Sequence, residues 1–438
     1  MKEYILIIGF GKSGKWAYNL GVKWGYMPIV YDDEFMNIES IEKVLKEISF
    51  AVVSPGVNDN HQLVVKLKEF AIPIMSEVEF AYFFRNIESK IIGVTGTNGK
   101  TTVVRMIQTL LQDKCSVAGN IGVPYSKIVG TEKENVVLEL SSFQLEHIRT
   151  FTPDIAVFTN FAPDHIDYHG SFENYIRAKL KLLKNHSRNM KVIYCADDKC
   201  LRAEIDKLKA IDTFYYSLTK QKGNGIYCDG DQVVIEIDGK MINLFTVRDL
   251  GEVTSHYLQN VLVSSLVAYL LGEEIVHFLP RLRMFVPSPY REQIVENSLG
   301  IKIINNSKAT NLMATLSAIE SMGRSSIHLI VGGRGKREDY SQLFKYDNVK
   351  SVVAFGESRL EFMTCAEKNG YKTITITKTM EDATKVALSQ VRKGEVLLFS
   401  PCCSSFDQFR SYEERGDKFN EIVKEIESSI LISKTKST

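Results

Sequence analysis

The chain has 438 residues, 44% of them apolar and 24% charged, and its 54 basic and 53 acidic side chains leave a net charge of +1. A single hydrophobic core rarely serves more than about 300 residues, so this length predicts two or three domains. The charge shows no basic excess of the kind that marks nucleic-acid-binding proteins, and no apolar run reaches the roughly 18 residues that a membrane span needs. The seven cysteines show no metal-type spacing, which favours a reducing compartment, the cytoplasm.

The first predicted element is a buried strand, YILIIG, that leads into a glycine-rich turn. The turn reads Gly9-x-Gly11-x-x-Gly14, and Asp32 follows further along the chain. This pattern is typical of a helix N-terminus that binds a diphosphate, with an acidic residue that binds a ribose hydroxyl. By itself it is a weak signal, and three interpretations stay open: an NAD site, a UDP-type site, and a tight turn without a ligand.

A second apolar strand, IIGVT at 91–95, opens the strongest local motif, Gly96-Thr97-Asn98-Gly99-Lys100-Thr101-Thr102. Glycines allow backbone N–H groups to approach phosphate oxygens, and the following helix N-terminus adds partial positive charge. Lys100 is expected on the β- and γ-phosphates, and Thr101 on Mg²⁺. Val94 stands where the strict P-loop spacing has glycine, so the match is to a variant; the alternative is an ordinary glycine-rich turn.

An apolar helix face is predicted directly behind this loop, at Val103, Met106, Ile107, Leu110 and Leu111. The two strand–loop–helix openings lie about 85 residues apart, which indicates two separate α/β domains. Residues 278–291 carry three of the ten prolines and predict an interdomain connection. Beyond them, short β-rich runs alternate with helical stretches, a pattern typical of a further parallel sheet.

Three side chains in the central region are candidates for a metal centre. Glu139 ends an apolar strand, and a carboxylate at that place points into the usual ligand crevice. His165 follows the strand-like run IAVFTNF, although a lone histidine is more often structural. Lys179, one of several lysines in YIRAKLKLLK, is on sequence alone a solvated helix residue, because an ammonium cannot bind a cation.

Residues 93–102, GVTGTNGKTT, resemble the signature of the Mur ligases and their folate-adding relatives. Other segments extend the resemblance along the whole chain and are most similar to the D-glutamate-adding branch of that family. They are 54-SPGV-57, 119-GNIGVP-124, 137-VLELSSFQLE-146, 160-NFAPDHIDYHGSFENYIRAK-179, 305-NNSKATN-311, 332-GGRGK-336 and 400-SPCCSSFDQF-409.

The resemblance implies an α/β fold of three domains. These are a Rossmann-like UDP-substrate domain at 1–88, a central P-loop ATPase domain with a parallel sheet at 89–286, and a C-terminal Rossmann-like amino-acid domain at 287–438. The implied enzyme is a cytoplasmic, monomeric ligase that uses ATP to add D-glutamate to UDP-N-acetylmuramoyl-L-alanine through an acyl phosphate. Peptidoglycan synthesis, cell shape and cell division are the implied processes, and neither nucleic acid nor membrane is an expected partner.

The resemblance also implies the site residues, by position. The catalytic set is Lys100, Glu139, His165 and Lys179, with Lys179 carbamylated by CO₂. Two Mg²⁺ sites are implied, with ligands among Thr101, Glu139, His165 and Lys179. ATP is expected on Gly96, Thr97, Asn98, Gly99, Lys100, Thr101, Thr102, Asn260, Arg291 and Asn306. The UDP-substrate is expected on Gly11, Lys12, Ser13, Gly14, Asp32, Gly56, Asn120 and His165, and D-glutamate on Lys308, Thr310, Lys336, Ser405, Phe406 and Tyr412.

Two positions depart from the family pattern at the expected nucleotide site. Tyr257 stands in 256-HYLQN-260 where an asparagine is usual, and Asn306 stands in 305-NNSKATN-311 where an aspartate is usual. Tyr257 could stack on adenine or point into the core. The alternatives to D-glutamate ligation are a Mur ligase for another amino acid, a nucleotide-binding protein without turnover, and an NAD-dependent oxidoreductase.

Overall fold

The computed structural model describes residues 3–34, 38–185, 189–208, 211–251, 253–287, 289–335 and 338–435, apart from the side chains of Asp167 and residues 430–435. The chain divides into two compact units, Met1–Val286 and Pro287–Thr438. The mainly parallel sheets with interleaved helices confirm the predicted α/β class. Across the ranges just given, no helix is both long enough and apolar enough to cross a membrane.

The first unit begins with a small parallel sheet in the order β2-β1-β3-β4. Strand β1 lies inside it and is buried from Ile5 to Ile8, as expected for a parallel strand covered on both faces. The strands are β1 (Tyr4–Ile8), β2 (Met27–Tyr31), β3 (Ile48–Val53) and β4 (Ile74–Ser76). The helices are α1 (Lys12–Lys23), α2 (Ile38–Glu42), α3 (Gln62–Glu69) and α4 (Glu77–Phe83).

The same unit continues into a larger sheet in the order β13-β12-β11-β10-β9-β8-β5-β7-β6. Its strands are β5 (Lys90–Thr95), β6 (Cys115–Gly119), β7 (Asn135–Glu139), β8 (Ile155–Phe158), β9 (Lys191–Cys195), β10 (Asp212–Ser217), β11 (Gly225–Asp229), β12 (Gln232–Ile237) and β13 (Lys240–Thr246). Its helices are α5 (Lys100–Leu111), α6 (Tyr125–Ile128), α7 (Ser142–Glu146), α8 (Ile166–His169), α9 (Phe172–Leu180), α10 (Lys199–Ile205), α11 (Ser255–Leu270) and α12 (Phe278–Arg283).

The position of β5 decides where the central site forms. This strand pairs in parallel with β7 on one side and β8 on the other. The loops that leave the carboxyl ends of all three strands therefore meet at one edge of the sheet, where ligands of open α/β sheets bind. Behind the loop, the predicted apolar face of α5 is buried in the core, as Val103, Met106 and Leu110 show. That core also includes Ile5, from the first sheet, so the two sheets of this unit share it.

The second unit has a sheet in the order β14-β15-β19-β16-β17-β18, parallel except at β14. The strands are β14 (Gln293–Val295), β15 (Lys302–Asn305), β16 (Ile327–Gly332), β17 (Val349–Phe355), β18 (Ile374–Ile376) and β19 (Val396–Cys402). The helices are α13 (Leu312–Ser321), α14 (Arg359–Lys368), α15 (Met380–Gln390) and α16 (Tyr412–Thr435).

The two edges of this third sheet differ in character. At the amino edge, His328 is buried between two partners: its Nδ1 lies 2.8 Å from Ser351 Oγ and its Nε2 lies 2.9 Å from Glu395 Oε2. At the carboxyl edge, the neighbouring strands β15, β19 and β16 end in the loops that begin at Asn306, Cys403 and Gly333. The predicted amino-acid residues follow these carboxyl ends.

Candidate active site

The phosphate loop between β5 and α5 is held in shape by the residues that follow β8. Asn98 N–H donates to Asn160 Oδ1 at 2.9 Å, and its carbonyl accepts from Thr159 Oγ1 at 2.6 Å. Gly96 has a φ of 142°, and a Cβ there would lie 1.9 Å from Thr159 Oγ1, so no other residue fits. Gly99 has a φ of 86° and precedes the first turn of α5. The loop therefore brings its backbone and the helix N-terminus to the ligand edge, as phosphate binding requires.

Two lysines meet at this loop. Lys100 Nζ donates to the carbonyl oxygens of Gly96 and Thr97, each at 2.8 Å. Lys179 Nζ donates to the same Gly96 oxygen, also at 2.8 Å, and is 1% exposed. Burial, and then the positive charge of Lys100, lower the pKa of Lys179 well below its ordinary value, against the opposing effect of Asp164 and Glu139. The sequence pattern of α9 suggested a solvated lysine; the structure buries it because this face of α9 packs over the loop.

Glu139, at the end of β7, has a half-satisfied carboxylate. Its Oε1 accepts from Asn120 Nδ2 at 3.0 Å. Its Oε2 is buried and has no hydrogen-bond partner among the residues that the structure describes. A buried carboxylate oxygen without a donor is costly unless a cation binds it, so the geometry fits a metal ligand. Asn120 was predicted to bind the UDP-substrate; in the structure its amide orients the Glu139 carboxylate.

His165 lies near the Tyr175 ring that Lys179 also contacts, in a left-handed backbone conformation with a φ of 52°. Its N–H donates to Asp164 Oδ1 at 2.9 Å, which helps to hold this conformation at the start of α8. Its ring centroid is 6.4 Å from that of Tyr175, and Lys179 Nζ is 4.4 Å from the same Tyr175 ring. A non-glycine residue held at positive φ at a ligand edge is typical of functional sites.

The donor set fits Mg²⁺ only in part. Glu139 supplies a carboxylate oxygen, and Thr101, at the start of α5, supplies a hydroxyl. Across the described portion of the chain, no cluster of three His, Cys, Asp or Glu side chains could hold a metal ion. An ammonium repels a cation, so Lys179 can take part only after conversion into an anion.

Two residues of α11 that were considered for the adenine site, Asn260 and Tyr257, have different surroundings. Asn260, on α11, is close to the phosphate loop, because a Cβ on Gly99 would lie 3.0 Å from its Oδ1. Tyr257, one turn earlier, packs on the apolar core with its ring centroid 6.3 Å from that of Phe285. Of the two interpretations of Tyr257, the orientation toward the core is therefore the one observed.

Asn306, in the second unit, is buried and engaged within that unit. Its Nδ2 donates to Ser400 Oγ at 3.0 Å, and its Oδ1 accepts from Glu292 N–H at 3.3 Å. Glu292 follows Arg291 and has a φ of 47°, so Asn306 supports the backbone that carries Arg291. The roles of Asn306 and Arg291 toward ATP remain predictions.

The first glycine turn lies in a cleft of about 370 Å³ at the carboxyl edge of the first sheet. Five predicted residues line it: Gly11, Lys12, Ser13, Asp32 and Gly56. Asp32 Oδ2 accepts from Phe10 N–H at 2.6 Å and so closes the turn. Gly14 has a different role, since a Cβ there would lie 2.0 Å from Gly9 O; it allows α1 to pack against the turn. The size suits a small-molecule ligand.

The described residues among those predicted for the amino acid lie in loops at the carboxyl edge of the third sheet or at the start of α16. Lys308 Nζ lies 5.3 Å from the centre of the Tyr412 ring, a cation–π contact. Ser405 is buried, whereas Phe406 is 62% exposed. Thr310 is half-buried in the same loop as Lys308. Lys336 lies outside the described residues.

The residues that sequence reasoning missed are supporting ones. Thr159 and Asn160 fix the phosphate loop, and Tyr175 donates to Thr97 Oγ1 at 3.2 Å. Asn160 and Tyr175 lie in the segment 160–179 that carries the family resemblance, whereas Thr159 lies one position before it. In the first cleft, Tyr31 OH donates to Asp33 Oδ1 at 2.7 Å, and His61 Nε2 lies 3.0 Å from the same oxygen. No sequence spacing indicated that pairing.

A parallel α/β sheet that ends in a glycine-rich loop, with a lysine and a threonine at the helix start, defines a nucleotide-binding protein of the phosphate-loop class. Two family models agree with this class of protein and identify a particular family within it. Residues 94–268 match the Mur ligase middle domain, and residues 290–403 match the Mur ligase, glutamate ligase domain.

Full-length relatives give the same result. A protein from Lachnoclostridium phytofermentans is 33% identical over 96% of this chain and 97% of its own length. One from Aquifex aeolicus is 35% identical over 95% of this chain and 98% of its own length. Both are named UDP-N-acetylmuramoylalanine--D-glutamate ligase. This chain belongs to the Mur ligase family, as the sequence motifs predicted.

Solved structures share the fold at low sequence identity. MurF ligase from Thermotoga maritima, in complex with ADP, has a TM-score of 0.60 at 18% identity and covers 97% of this chain and 96% of its own. The UDP-N-acetylmuramate-alanine ligase MurC from the same organism has a TM-score of 0.59 at 19% identity, with coverage of 97% and 99%. Mur ligases use ATP and Mg²⁺, in agreement with the phosphate loop and the half-satisfied Glu139.

Proposed function

We propose that this chain is an ATP-dependent ligase that joins D-glutamate to UDP-N-acetylmuramoyl-L-alanine in peptidoglycan precursor synthesis. The observation that carries the proposal is the match, over nearly the whole length, to relatives named for this activity. The meeting of Lys100 and Lys179 at the phosphate loop supports phosphoryl transfer as the chemical step. In a cell the product would serve cell-wall biogenesis, and through it cell shape and division.

In the first step the substrate carboxylate attacks the γ-phosphorus of ATP, which gives an acyl phosphate and ADP. The loop from Gly96 to Thr102 and the N-terminus of α5 bind the phosphates. Lys100 places its ammonium where negative charge develops on the transferring group. Because this ammonium already lies at the loop, its charge is in place before the reaction begins.

Thr101, Glu139 and His165 are proposed to hold Mg²⁺ at two sites, together with Lys179 as a carbamate. When bound, Mg²⁺ spreads the charge of the phosphoryl oxygens. A neutral amine is the form that reacts with CO₂, and the lowered pKa of Lys179, caused first by burial, favours that form. The carbamate would add a second anionic group to the Glu139 carboxylate.

In the second step the amine of D-glutamate attacks the acyl carbon, and phosphate leaves. Lys308, Thr310, Ser405 and Tyr412, with Lys336 and Phe406, are proposed to bind the amino acid. Cations and hydroxyls in a fixed array suit its two carboxylates. Arg291 is proposed to bind ATP phosphates once the domains close. The UDP-substrate is proposed for the cleft of Gly11, Lys12, Ser13 and Gly56.

The first unit is proposed to contain two functional domains, divided at residues 88 and 89, with the amino-acid domain beginning at 287. The presence of two separate sheets in this unit, each with a glycine-rich loop at a strand end, supports the division. The protein is proposed to work as a cytoplasmic monomer. All seven cysteines are unpaired, which suits a reducing compartment.

The test is phosphate release with ATP, Mg²⁺, UDP-N-acetylmuramoyl-L-alanine and one amino acid at a time. D-Glutamate should give turnover, and omission of any one component should abolish it. L-Glutamate tests the stereochemistry, and L-alanine, L-lysine and meso-diaminopimelate test the side chain. A comparable rate with any of these four would contradict the D-glutamate assignment but leave ligase chemistry standing, whereas no turnover with any amino acid would contradict the ligase itself.

A further inference from the structure

Arg415, on the first turn of α16, is the largest fully buried side chain that the structure describes. Its guanidinium holds two loops at once. Nε donates to Ser307 Oγ at 3.1 Å and Nη2 donates to Ser307 O at 2.8 Å. Nη1 donates to Cys403 O at 3.0 Å. One planar group therefore fixes the distance between the loop after β15 and the loop after β19.

These two loops carry the residues proposed for the amino acid. Lys308 follows Ser307 directly, and Ser405 lies two positions after Cys403. Ser307 Oγ also donates to the carbonyl of Tyr412 at 2.8 Å, so the start of α16 belongs to the same network. Lys308 and Ser405 thus each lie within two positions of a residue that accepts from Arg415. Tyr412 belongs to the same network through its own carbonyl.

A third loop, the one after β16, is tied to the same place. Arg334 N–H donates to Ser404 O at 2.9 Å, and Ser404 N–H donates to Arg334 O at 3.2 Å. A Cβ on Gly333 would lie 3.2 Å from Arg415 Nη1 and 2.3 Å from Ser404 O. Glycine at 333 therefore allows the third loop to approach the guanidinium closely.

A purely structural role is a poor explanation for a cation at this place. The three acceptors given above are neutral, and their hydrogen bonds together with the negative charge of Asp407 only partly offset the desolvation of the guanidinium. Burial lowers the pKa of Arg415 to about 10, and the group remains protonated at neutral pH. An apolar side chain would avoid this desolvation but would leave the three acceptors without a donor. The charge and the planar fork are the properties that only arginine supplies.

We propose that Arg415 is a positioning residue for the amino-acid subsite, which sets the spacing of Lys308, Ser405 and Tyr412 and so the affinity for an amino acid with two carboxylates. The inference rests on the proposed ligase function. Arg415 does not touch the substrate; it acts through the backbone of Ser307 and Cys403. Its loss should therefore change binding of the amino acid and leave binding of the other two substrates alone.

The experiment compares Arg415→Lys and Ser307→Ala with wild type. Arg324→Lys is the matched control, because Arg324 is exposed and precedes the amino end of β16, away from the three loops. The KM values for D-glutamate, ATP and the UDP-substrate are measured separately, with kcat and the melting temperature. Arg415→Lys should raise the KM for D-glutamate about tenfold or more, because a lysine cannot hold two loops with one planar group. Ser307→Ala should raise it about threefold, and the KM for ATP should stay within about twofold in both.

The outcomes separate this inference from the function on which it rests. If wild type uses another amino acid, the same comparison is made with that amino acid. If wild type uses none, the proposed function and this inference both fail. If wild type is active but all three KM values move together, or only the melting temperature falls, Arg415 is structural and the inference alone fails. If Arg415→Lys does not fold, Ser307→Ala decides, and a KM for D-glutamate equal to that of Arg324→Lys overturns it.

Discussion

Lys179 and Lys100 donate to the same carbonyl oxygen, and this shared contact leads to the first prediction. If Lys179 must become a carbamate, Lys179→Ala should be nearly inactive, because the site then lacks an anion. A short carboxylic acid in the buffer should restore part of the activity by filling the vacated space. Turnover is measured with and without added acetate or propionate, and removal of dissolved CO₂ should slow the wild type.

The control for this prediction is Lys184→Ala, since Lys184 is exposed and lies just beyond the same helix. It should keep wild-type turnover and should not respond to added acid. Full activity of Lys179→Ala without acid would end the carbamate proposal.

The second prediction concerns the charge of Lys100. Removal of a charge that stabilises the phosphoryl-transfer transition state costs on the order of 3 kcal/mol, about a hundredfold in rate. Lys100→Ala should show this loss in kcat while the far-ultraviolet circular dichroism stays unchanged. Lys90→Ala, at the exposed amino end of β5, the strand before the loop, should behave as wild type. A folded Lys100→Ala enzyme with most of its activity would refute the role.

At this scale the sequence identified residue types and their order along the chain but not their surroundings. The glycine loop was recognisable because backbone phosphate binding needs a fixed local pattern. The burial of Lys179 was not, because it depends on how α9 packs over a loop more than 75 residues earlier in the chain. Tyr257 and Asn306 show the same limit: each departs from the family pattern, and each finds its partners through tertiary packing.

At the scale of single elements, α4 carries two buried glutamates with opposite environments. Glu79 is fully satisfied: it accepts from the N–H groups of Arg149 at 2.9 Å, Thr150 at 2.7 Å and Phe151 at 2.9 Å, and from Thr150 Oγ1 at 2.6 Å. Glu77 accepts only from Ser126, through one oxygen, while its Oε2 has no partner in the described part of the chain. The helix thus links the first sheet to the central sheet through one fully and one partly hydrogen-bonded carboxyl group.

Glu77 gives a prediction about pH. Burial raises the pKa of Glu77, although the hydrogen bonds from Ser126 oppose the shift. The folded state therefore keeps a proton that the unfolded state has released, and stability falls as pH rises above the ordinary glutamate pKa toward the folded one. Glu77→Gln removes this loss. Its melting temperature should match wild type near about pH 4 and exceed it near about pH 8. A gap that does not grow with pH would contradict the prediction.

Glu79→Gln is the matched variant on the same helix, and the opposite result is expected. An amide presents N–H donors to a nest that already consists of donors, and the charged acceptor is lost. The variant should lose roughly 2 kcal/mol or more in free energy of unfolding, measured by denaturant titration. A loss of less than about 0.5 kcal/mol would show that the four hydrogen bonds contribute little.

At the scale of the whole molecule, the division at residue 286 gives a prediction about proteolysis. Met284 and Val286 are exposed at this boundary, and Ile87 is equally exposed between the first two sheets, but those two sheets share a core whereas residues 283–291 join separate compact units. Limited thermolysin digestion should therefore cut first between residues 283 and 291 and leave residues 84–90 intact. Fragment masses identify the cut. An early cut at 84–90 would mean that the first sheet unfolds on its own.

The overall fold was largely predictable because its signals are local and repeated. Apolar strands followed by glycine turns marked β1 and β5. The strand order was not predictable, since it depends on pairing between distant segments. The position of β5 between β7 and β8 is what brings Glu139 and Thr159 to the phosphate loop, and no pattern in the sequence shows it.

Hydrogen bonds stabilise the third sheet at both ends of its strands. His328 is bonded to Ser351 and Glu395 near their amino ends, and Arg415 is bonded to Cys403 at their carboxyl ends. The effect of a random mutation should therefore depend on whether it lies near the amino ends or the carboxyl ends of the strands. Changes near His328 should alter how much folded enzyme a cell keeps, whereas changes near Arg415 should alter which amino acid it accepts. A library designed to find new amino-acid specificities could leave the amino ends of these strands unchanged and randomise only the loops at their carboxyl ends. Arg415 would be retained because it holds those loops together.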